Sequence, residues 1–189
     1  MKKLVSFVLA VVMVCSVLPF SVFAEEQAGV SGDAAPAMCV RIWENPNPDE
    51  DVENSSVLRY GEQVQSQVVA TEYRSVTTTP SGQPSGGYSF PSTGGSIYIN
   101  TNGGSTVTYS VGVSWGTVSV GVSVGSISTS VTGVSVFVPG DGNHYKVQLR
   151  HNYKINRVKH DYYQYGEYLY TIYTDKPILQ SVDALLIRV

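Results

Sequence analysis

The chain has 189 residues, and charged side chains make up only 14% of them, against about 25% in an average soluble protein. This low charge excludes a coiled coil and a charge-rich disordered protein. The net charge of −3, the pI near 5.5 and the absence of a long basic run exclude a typical nucleic-acid-binding protein.

The N-terminus has the features of an export signal. Lys2 and Lys3 precede an almost unbroken apolar stretch at residues 4–18, and Ala24 ends a Val-Phe-Ala sequence suited to a signal peptidase. The stretch is shorter than the about 20 residues of a spanning helix. The Lys-Lys start resembles the Sec signals of Gram-positive bacteria. We therefore predict a cleaved signal peptide at residues 1–24 and a secreted, extracellular chain without a transmembrane helix.

Residues 25–56 form an acidic lead. Proline, asparagine and acidic residues at 45–51 interrupt any helix or strand, and only residues 39–43 suit a short strand. We predict that this lead is largely disordered. It contains Cys39, the one cysteine beyond the predicted signal, for which we expect no disulfide within the chain and no catalytic role.

The predicted β-rich domain spans residues 57–189. Its first part, residues 57–73, is rich in Val, Tyr, Gln and Thr and predicts one or two strands interrupted at Gly61. Residues 77–96 combine prolines and glycines with serines and threonines, which predicts a long loop or linker inside the domain.

The stretch from residue 75 to residue 140 contains no charged side chain. Within it, large apolar residues alternate with Ser, Thr and Gly at residues 106–115 and again at 118–124, with the apolar positions shifting from odd to even numbers near Gly116. Alternation of period two predicts strands, and the shift predicts a turn or a bulge.

Two further hairpins are predicted downstream. Apolar residues alternate with polar ones from residue 147 to residue 155, and the turn at residues 139–143 suggests pairing of this strand with residues 134–138. Tyrosine-rich runs at residues 162–165 and 168–173, on both sides of Gly166-Glu167, predict the second hairpin. The C-terminus has both helical and strand spacing, and we favour a strand. The fold class is therefore all-β, an antiparallel β-sandwich-like single domain of seven to nine strands behind a disordered acidic N-terminal lead.

Catalytic and metal-binding motifs are absent from the sequence, which lacks Gly-x-Ser-x-Gly, His-Glu-x-x-His and Cys-x-x-Cys. We expect no cofactor and no catalytic residue. Two candidates remain. The first is a zinc site formed by the histidines, for which hydrogen-bonded core or edge histidines are the simpler interpretation. The second is a glycosidase-like pair of carboxylates, for which solvated acids on surface turns are the simpler interpretation. The histidines and acids concerned are His144, His151 and His160, and Asp161, Glu167, Asp175 and Asp183.

One candidate ligand surface combines cationic and aromatic side chains. Lys146, Arg150 and Lys154 share the polar face of the predicted strand, and the tyrosine-rich run that follows includes Tyr163 and Tyr165. Such groups suit an anionic cell-wall polymer or a glycan. The simpler interpretation is a charged outer face above a tyrosine-rich core.

The uncharged Val/Ser/Thr/Gly stretch has three interpretations. It is a plain sheet with a valine face inward, a membrane-active hairpin, or an edge for self-association into fibres. The second resembles secreted pore-forming toxins, which implies oligomerisation.

We therefore expect a non-catalytic extracellular binding or surface-interaction module, with a cell-wall polymer, a glycan or a surface protein as partner. The alternative is a membrane-active (pore-forming or antimicrobial) or self-assembling protein.

Overall fold

The computed structural model describes residues 38–48, 61–128 and 130–189. The predicted signal peptide at 1–24 and the predicted lead at 25–56, apart from residues 38–48, lie outside the described residues.

The described residues contain nine strands and no helix. All pairings between these strands are antiparallel, and the prediction of an all-β, antiparallel, sandwich-like fold is confirmed. The strands are β1 (Met38–Glu44), β2 (Glu62–Thr78), β3 (Gly95–Asn100), β4 (Thr106–Val113), β5 (Gly116–Ser123), β6 (Ser126–Ile127), β7 (Val134–Val138), β8 (Tyr145–Gln164) and β9 (Glu167–Arg188).

The largest sheet has the strand order β1-β9-β8-β2. Its centre is a long hairpin, in which β8 has 20 residues and β9 has 22. Tyr165 and Gly166 form the two-residue turn with φ angles of 53° and 86°, because tight hairpin turns of this kind need positive φ at both central residues. The predicted hairpin at Gly166 and the predicted C-terminal strand are both confirmed.

Two smaller sheets, β6-β3-β7 and β4-β5, cover one face of one half of this sheet. We call this half, which contains residues 145–156 of β8, the proximal half, and the half that ends at the β8–β9 turn the distal half. Odd-numbered residues of β8 point toward them: Val147 and Leu149 pack in a cluster with β3 and β7, and Tyr153 and Ile155 pack in a second cluster with β4 and β5. Even-numbered residues of β8 lie on the opposite face. The predicted amphipathic strand is thus confirmed, and the core lies on its odd-numbered face.

The distal half of the large sheet extends beyond both clusters. We call residues 62–70 of β2, 157–164 of β8 and 167–176 of β9 the ribbon. No residue of the ribbon is buried. At a rise of about 3.4 Å per residue, the part contributed by β8 is about 27 Å long.

Two local expectations need correction. The predicted pairing of residues 134–138 with the strand after the turn is wrong, since β7 pairs with β3. The intervening segment joins two different sheets, and at Gly140 it passes close to the backbone of Pro91. The turn expected near Gly116 is present two residues earlier, at Ser114 and Trp115, where Val113 pairs with Gly116.

Candidate interaction surfaces

The three histidines do not form a metal site. His151 is buried on the odd face of β8 and His160 lies on the even face of the ribbon, nine residues or about 30 Å further along an extended strand. Burial lowers the pKa of His151. His144 precedes His151 by seven positions in the sequence. In the part of the chain that the structure describes, no three His, Cys, Asp or Glu side chains are grouped closely enough to hold a metal ion.

The four acids of the suggested carboxylate pair are also dispersed. Asp161 and Asp175 lie on the odd face of the ribbon, whereas Asp183 lies on the even face of the proximal half. Glu167 follows the turn at the distal end. Asp161 bonds Lys159, and Asp175 accepts a hydrogen bond from Trp115. The two acids that share a face are thus both engaged in local contacts.

Asp183 binds two arginines on the even face. It is 3% exposed and accepts hydrogen bonds from Arg41 Nε at 3.1 Å, Arg150 Nη2 at 3.1 Å and Asn152 Nδ2 at 2.9 Å. Burial alone raises the pKa of Asp183, but the hydrogen bonds from Asn152, Arg150 and Arg41 outweigh it and place the pKa below its ordinary value. This network ties β1, β8 and β9 together.

The predicted cationic surface is therefore only partly available for a ligand. Lys146, Arg150 and Lys154 do share the even face of β8, at intervals of about 14 Å. Arg150 is held by Asp183, and Lys154 has an interaction partner as well. Tyr163 lies on the odd face and Tyr165 in the turn, so the structure divides the five candidate residues between two faces and the distal end.

Exposed tyrosines crowd the ribbon. Within it Tyr168 is 56% exposed and Tyr173 51%, Leu169, Tyr170 and Ile172 are exposed too, and Tyr165 in the adjoining turn is 80% exposed. The interpretation of these residues as a tyrosine-rich core is wrong. Sequence reasoning did not identify Leu169 and Ile172 as exposed residues. Their alternation with tyrosine and threonine would look the same in a buried strand and in an exposed one.

The odd face of the ribbon has regular rows across three strands. Register places Gln63, Tyr163 and Tyr168 in the most distal row. The next rows are Gln65, Asp161 and Thr171, and then Gln67, Lys159 and Tyr173. Sequence reasoning missed the three glutamines, because their contribution depends on which strand lies beside β8.

Charges on this odd face neutralise one another. Lys159 Nζ lies 2.7 Å from Asp161 Oδ2, and this hydrogen bond is the main cause that raises the pKa of Lys159 and lowers that of Asp161. The guanidinium of Arg157 lies 4.7 Å from the centre of the Tyr173 ring and 5.9 Å from that of Trp115. The face consequently presents aromatic, amide and hydroxyl groups without a free block of one charge.

The β4-β5 hairpin lies on the odd face just below the ribbon. Its valine face is turned inward, with Val120 and Val122 almost completely buried, and its Ser, Thr and Gly face is turned outward. Polar contacts hold its turn. Ser114 N donates to Glu72 at 2.9 Å, Arg74 donates to the carbonyl of Gly112 at 2.9 Å, and Trp115 Nε1 donates to Asp175 at 2.8 Å. Hydrogen bonding from the Ser114 side chain is the main cause that lowers the pKa of Glu72, and the bond from the Ser114 backbone N–H lowers it further.

A scan against protein-family models, a search of curated proteins and a search of solved structures each found no match for this chain. Within the described ranges, no helix has the length and hydrophobicity needed to cross a membrane.

Proposed function

We propose that the protein is a secreted, non-catalytic surface-interaction protein whose contact surface is the odd face of the ribbon. The observation that carries this proposal is the exposure of Tyr168 and Tyr173, next to Tyr163, on the odd face at the distal end of the large sheet. Contiguous exposed aromatic residues are uncommon on soluble proteins and mark sites of interaction. Export depends on the predicted signal at residues 1–24.

A neutral glycan is the ligand class that this face suits best. Tyrosine rings offer apolar area with a hydroxyl at the rim, and Gln65 and Gln67 add amide donors and acceptors beside them. Lys159 pairs with Asp161, and Arg157 lies opposite Asp175 on the same face, so the face has no excess charge to attract a polyanion. An uncharged, hydroxyl-rich cell-surface polysaccharide complements both properties.

Sedimentation with insoluble polysaccharides and isolated cell walls tests this function. We expect Tyr168→Ala and Tyr173→Ala to weaken binding by about tenfold each, the effect of about 1.4 kcal/mol on a dissociation constant. Tyr73→Ala is the matched control, since Tyr73 is 67% exposed but lies on the even face outside the ribbon. Equal losses in all three variants, or no binding by the unaltered protein to any wall polymer, would contradict the proposal.

A membrane-active protein is the second candidate, and the β4-β5 hairpin favours it. The hairpin has no charged residue, one apolar face and one polar face, which is the requirement for strands in contact with lipid. Its turn is held to the sheet by Glu72, Arg74 and Asp175, so the hairpin can leave only after these contacts break.

Dye release from phosphatidylcholine vesicles tests this second candidate. We expect release by the unaltered protein, and faster release by Asp175→Ala, which removes the acceptor for Trp115. Glu44→Ala is the control for loss of one negative charge, because Glu44 is exposed on β1, away from the hairpin. Intact vesicles at micromolar protein with both the unaltered chain and Asp175→Ala would exclude this candidate.

A further inference from the structure

His151 is an ionisable residue buried at the boundary between the two core clusters. It is 3% exposed on the odd face of β8. Leu149, two residues before it, belongs to the cluster with β3 and β7, and Tyr153, two residues after it, belongs to the cluster with β4 and β5. Its neighbours across the sheet divide in the same way, since Val182 of β9 belongs to the first cluster and Val76 of β2 to the second. The imidazole therefore lies where the two clusters meet.

The connection between the two small sheets passes over this boundary. Val124 and Gly125 join β5 to β6, and we call these two residues the link. Gly125 lies against the side chain of Leu149, and the carbonyl of Val124 accepts a hydrogen bond of 3.4 Å from the hydroxyl of Thr78. Thr78 and Leu149 pair with each other in the row next to that of His151 on the same face. The link thus covers the odd face of β8 within one row of the histidine.

The surroundings of His151 favour its neutral form. Its Nδ1 atom is buried and has no hydrogen-bond partner among the described residues. Burial lowers the pKa of His151, and interactions with the backbone of Val76 and Leu149 oppose this only in part. A protonated imidazole donates from both nitrogens, so a cation at this place would hold an unpaired N–H away from water. Burial of such an incompletely paired charge is strongly unfavourable.

The described elements packed around His151 offer no free carboxylate to balance a positive charge. Residues 75–140, which form both small sheets, contain no charged side chain, and their only ionisable groups are tyrosines. On β2 the nearest charged residues of the same face are Arg74 and Glu72, which pair with each other. β8 adds Tyr153, whose hydroxyl donates to the carbonyl of Gly121. The charged groups of β1 and β9 nearest to this row lie on the even face: Arg41, Glu44 and Asp183.

We propose that His151 makes the packing between the two layers of the fold acid-sensitive, so that protonation of its ring separates the small sheets from the large sheet at the link. A charged ring needs water, and on this face water reaches it only when the covering layer moves away. The valines that β5 buries, Val120 and Val122, then become accessible to solvent. This opening needs neither a glycan nor lipid, so it is independent of both proposed functions.

Hydrogen exchange of the unaltered protein at pH 7 and pH 5 tests this opening. After correction for the intrinsic effect of pH on exchange, amides at residues 118–127 should lose protection by about tenfold. A histidine buried in its neutral form changes an opening equilibrium by up to about tenfold per pH unit below about 6.5. A two-stranded hairpin is at best marginally stable when it is unpacked, so separation exposes its amides. Glu72 and Asp183, whose pKa values are lowered, stay ionised at pH 5 and do not contribute.

Two variants that cannot take up a proton at this position separate the effect of His151 from a general effect of acid. His151→Phe and His151→Gln should keep the same protection at both pH values. His144→Gln removes the same ionisable group at an exposed position, and this control should open like the unaltered protein. Circular dichroism at pH 7 shows which of the His151 variants is folded, and one folded variant is enough for the comparison.

An NMR titration of the histidine rings needs no variant. The loss of protection in the unaltered protein should follow the same pH curve as proton uptake by His151. Three results would each overturn the proposal: equal protection at pH 7 and pH 5 in the unaltered protein, the same loss in a folded His151 variant, or an equal loss along β8 and β9, which would mean that the whole domain unfolds.

Discussion

Truncation of Leu149 measures how much the β8 core residues contribute to stability. Leu149 is completely buried in the cluster between β8 and β3-β7, and its side chain packs directly against the backbone of Gly125. Two sheets hold the walls of this site apart, so we expect Leu149→Ala to leave a cavity. Measured Leu→Ala changes of this kind destabilise by about 2–5 kcal/mol, and we expect about 3 kcal/mol here.

The matched control is its neighbour Gln148, which lies on the even face and is partly exposed. Gln148→Ala should change the free energy of unfolding by about 0.5 kcal/mol or less. Arg150, the other neighbour, is unsuitable because it binds Asp183. Urea denaturation followed by tyrosine and tryptophan fluorescence gives both values. For a domain of this size, about 3 kcal/mol corresponds to a fall in Tm of roughly 6–12 °C.

Equal denaturation midpoints for Leu149→Ala and Gln148→Ala would refute the assignment of the two faces of β8. A larger loss for Gln148→Ala would mean that the strand is rotated, with its even-numbered residues against the small sheets. Either result would also remove the basis for placing Tyr163 and Lys146 on opposite faces.

Three further predictions concern processing, charge and close packing. Mass spectrometry of protein from culture medium should show an N-terminus within a few residues of Glu25. Asp183→Asn should lower the free energy of unfolding at pH 7 by about 1–3 kcal/mol. The fold lowers the pKa of Asp183, so the carboxylate stabilises the protein above the ordinary pKa near 3.9, and this contribution is lost as the pH falls through the lowered pKa. The urea midpoints of variant and parent should therefore converge in acid. Gly140→Ala would bring a Cβ into collision with the carbonyl oxygen of Pro91 and should destabilise by about 1–3 kcal/mol in thermal melts, whereas Gly86→Ala, with nothing within 4 Å, should not.

Local features of the fold follow from the sequence because they depend on neighbouring residues. The alternation around Leu149 identifies a strand with one buried side, since a one-residue shift would turn every apolar side chain to solvent. The hairpin at Tyr165 and Gly166 is marked by a glycine between two strand-forming runs. Both features need no information about distant parts of the chain.

Strand partners and the exposure of the ribbon were not predictable in the same way. β7 pairs with β3, whose last residue, Asn100, is more than 30 residues earlier, and valine alternation alone does not specify which strand is chosen. The tyrosines of β9 have the composition of a core strand. They are exposed because the two small sheets do not extend over the ribbon, and nothing in the run itself marks where that cover stops.

β8 gives the protein a direction along which it can bear load. The extra residues at the register shifts lie in β2 and β9, so β8 passes from Tyr145 to Gln164 without an insertion and is bonded on both sides for almost all of its length. Antiparallel hydrogen bonds stand perpendicular to the strands. A pull on the ribbon along β8 would therefore load many of these bonds in shear at once, and the tension would pass directly to the core.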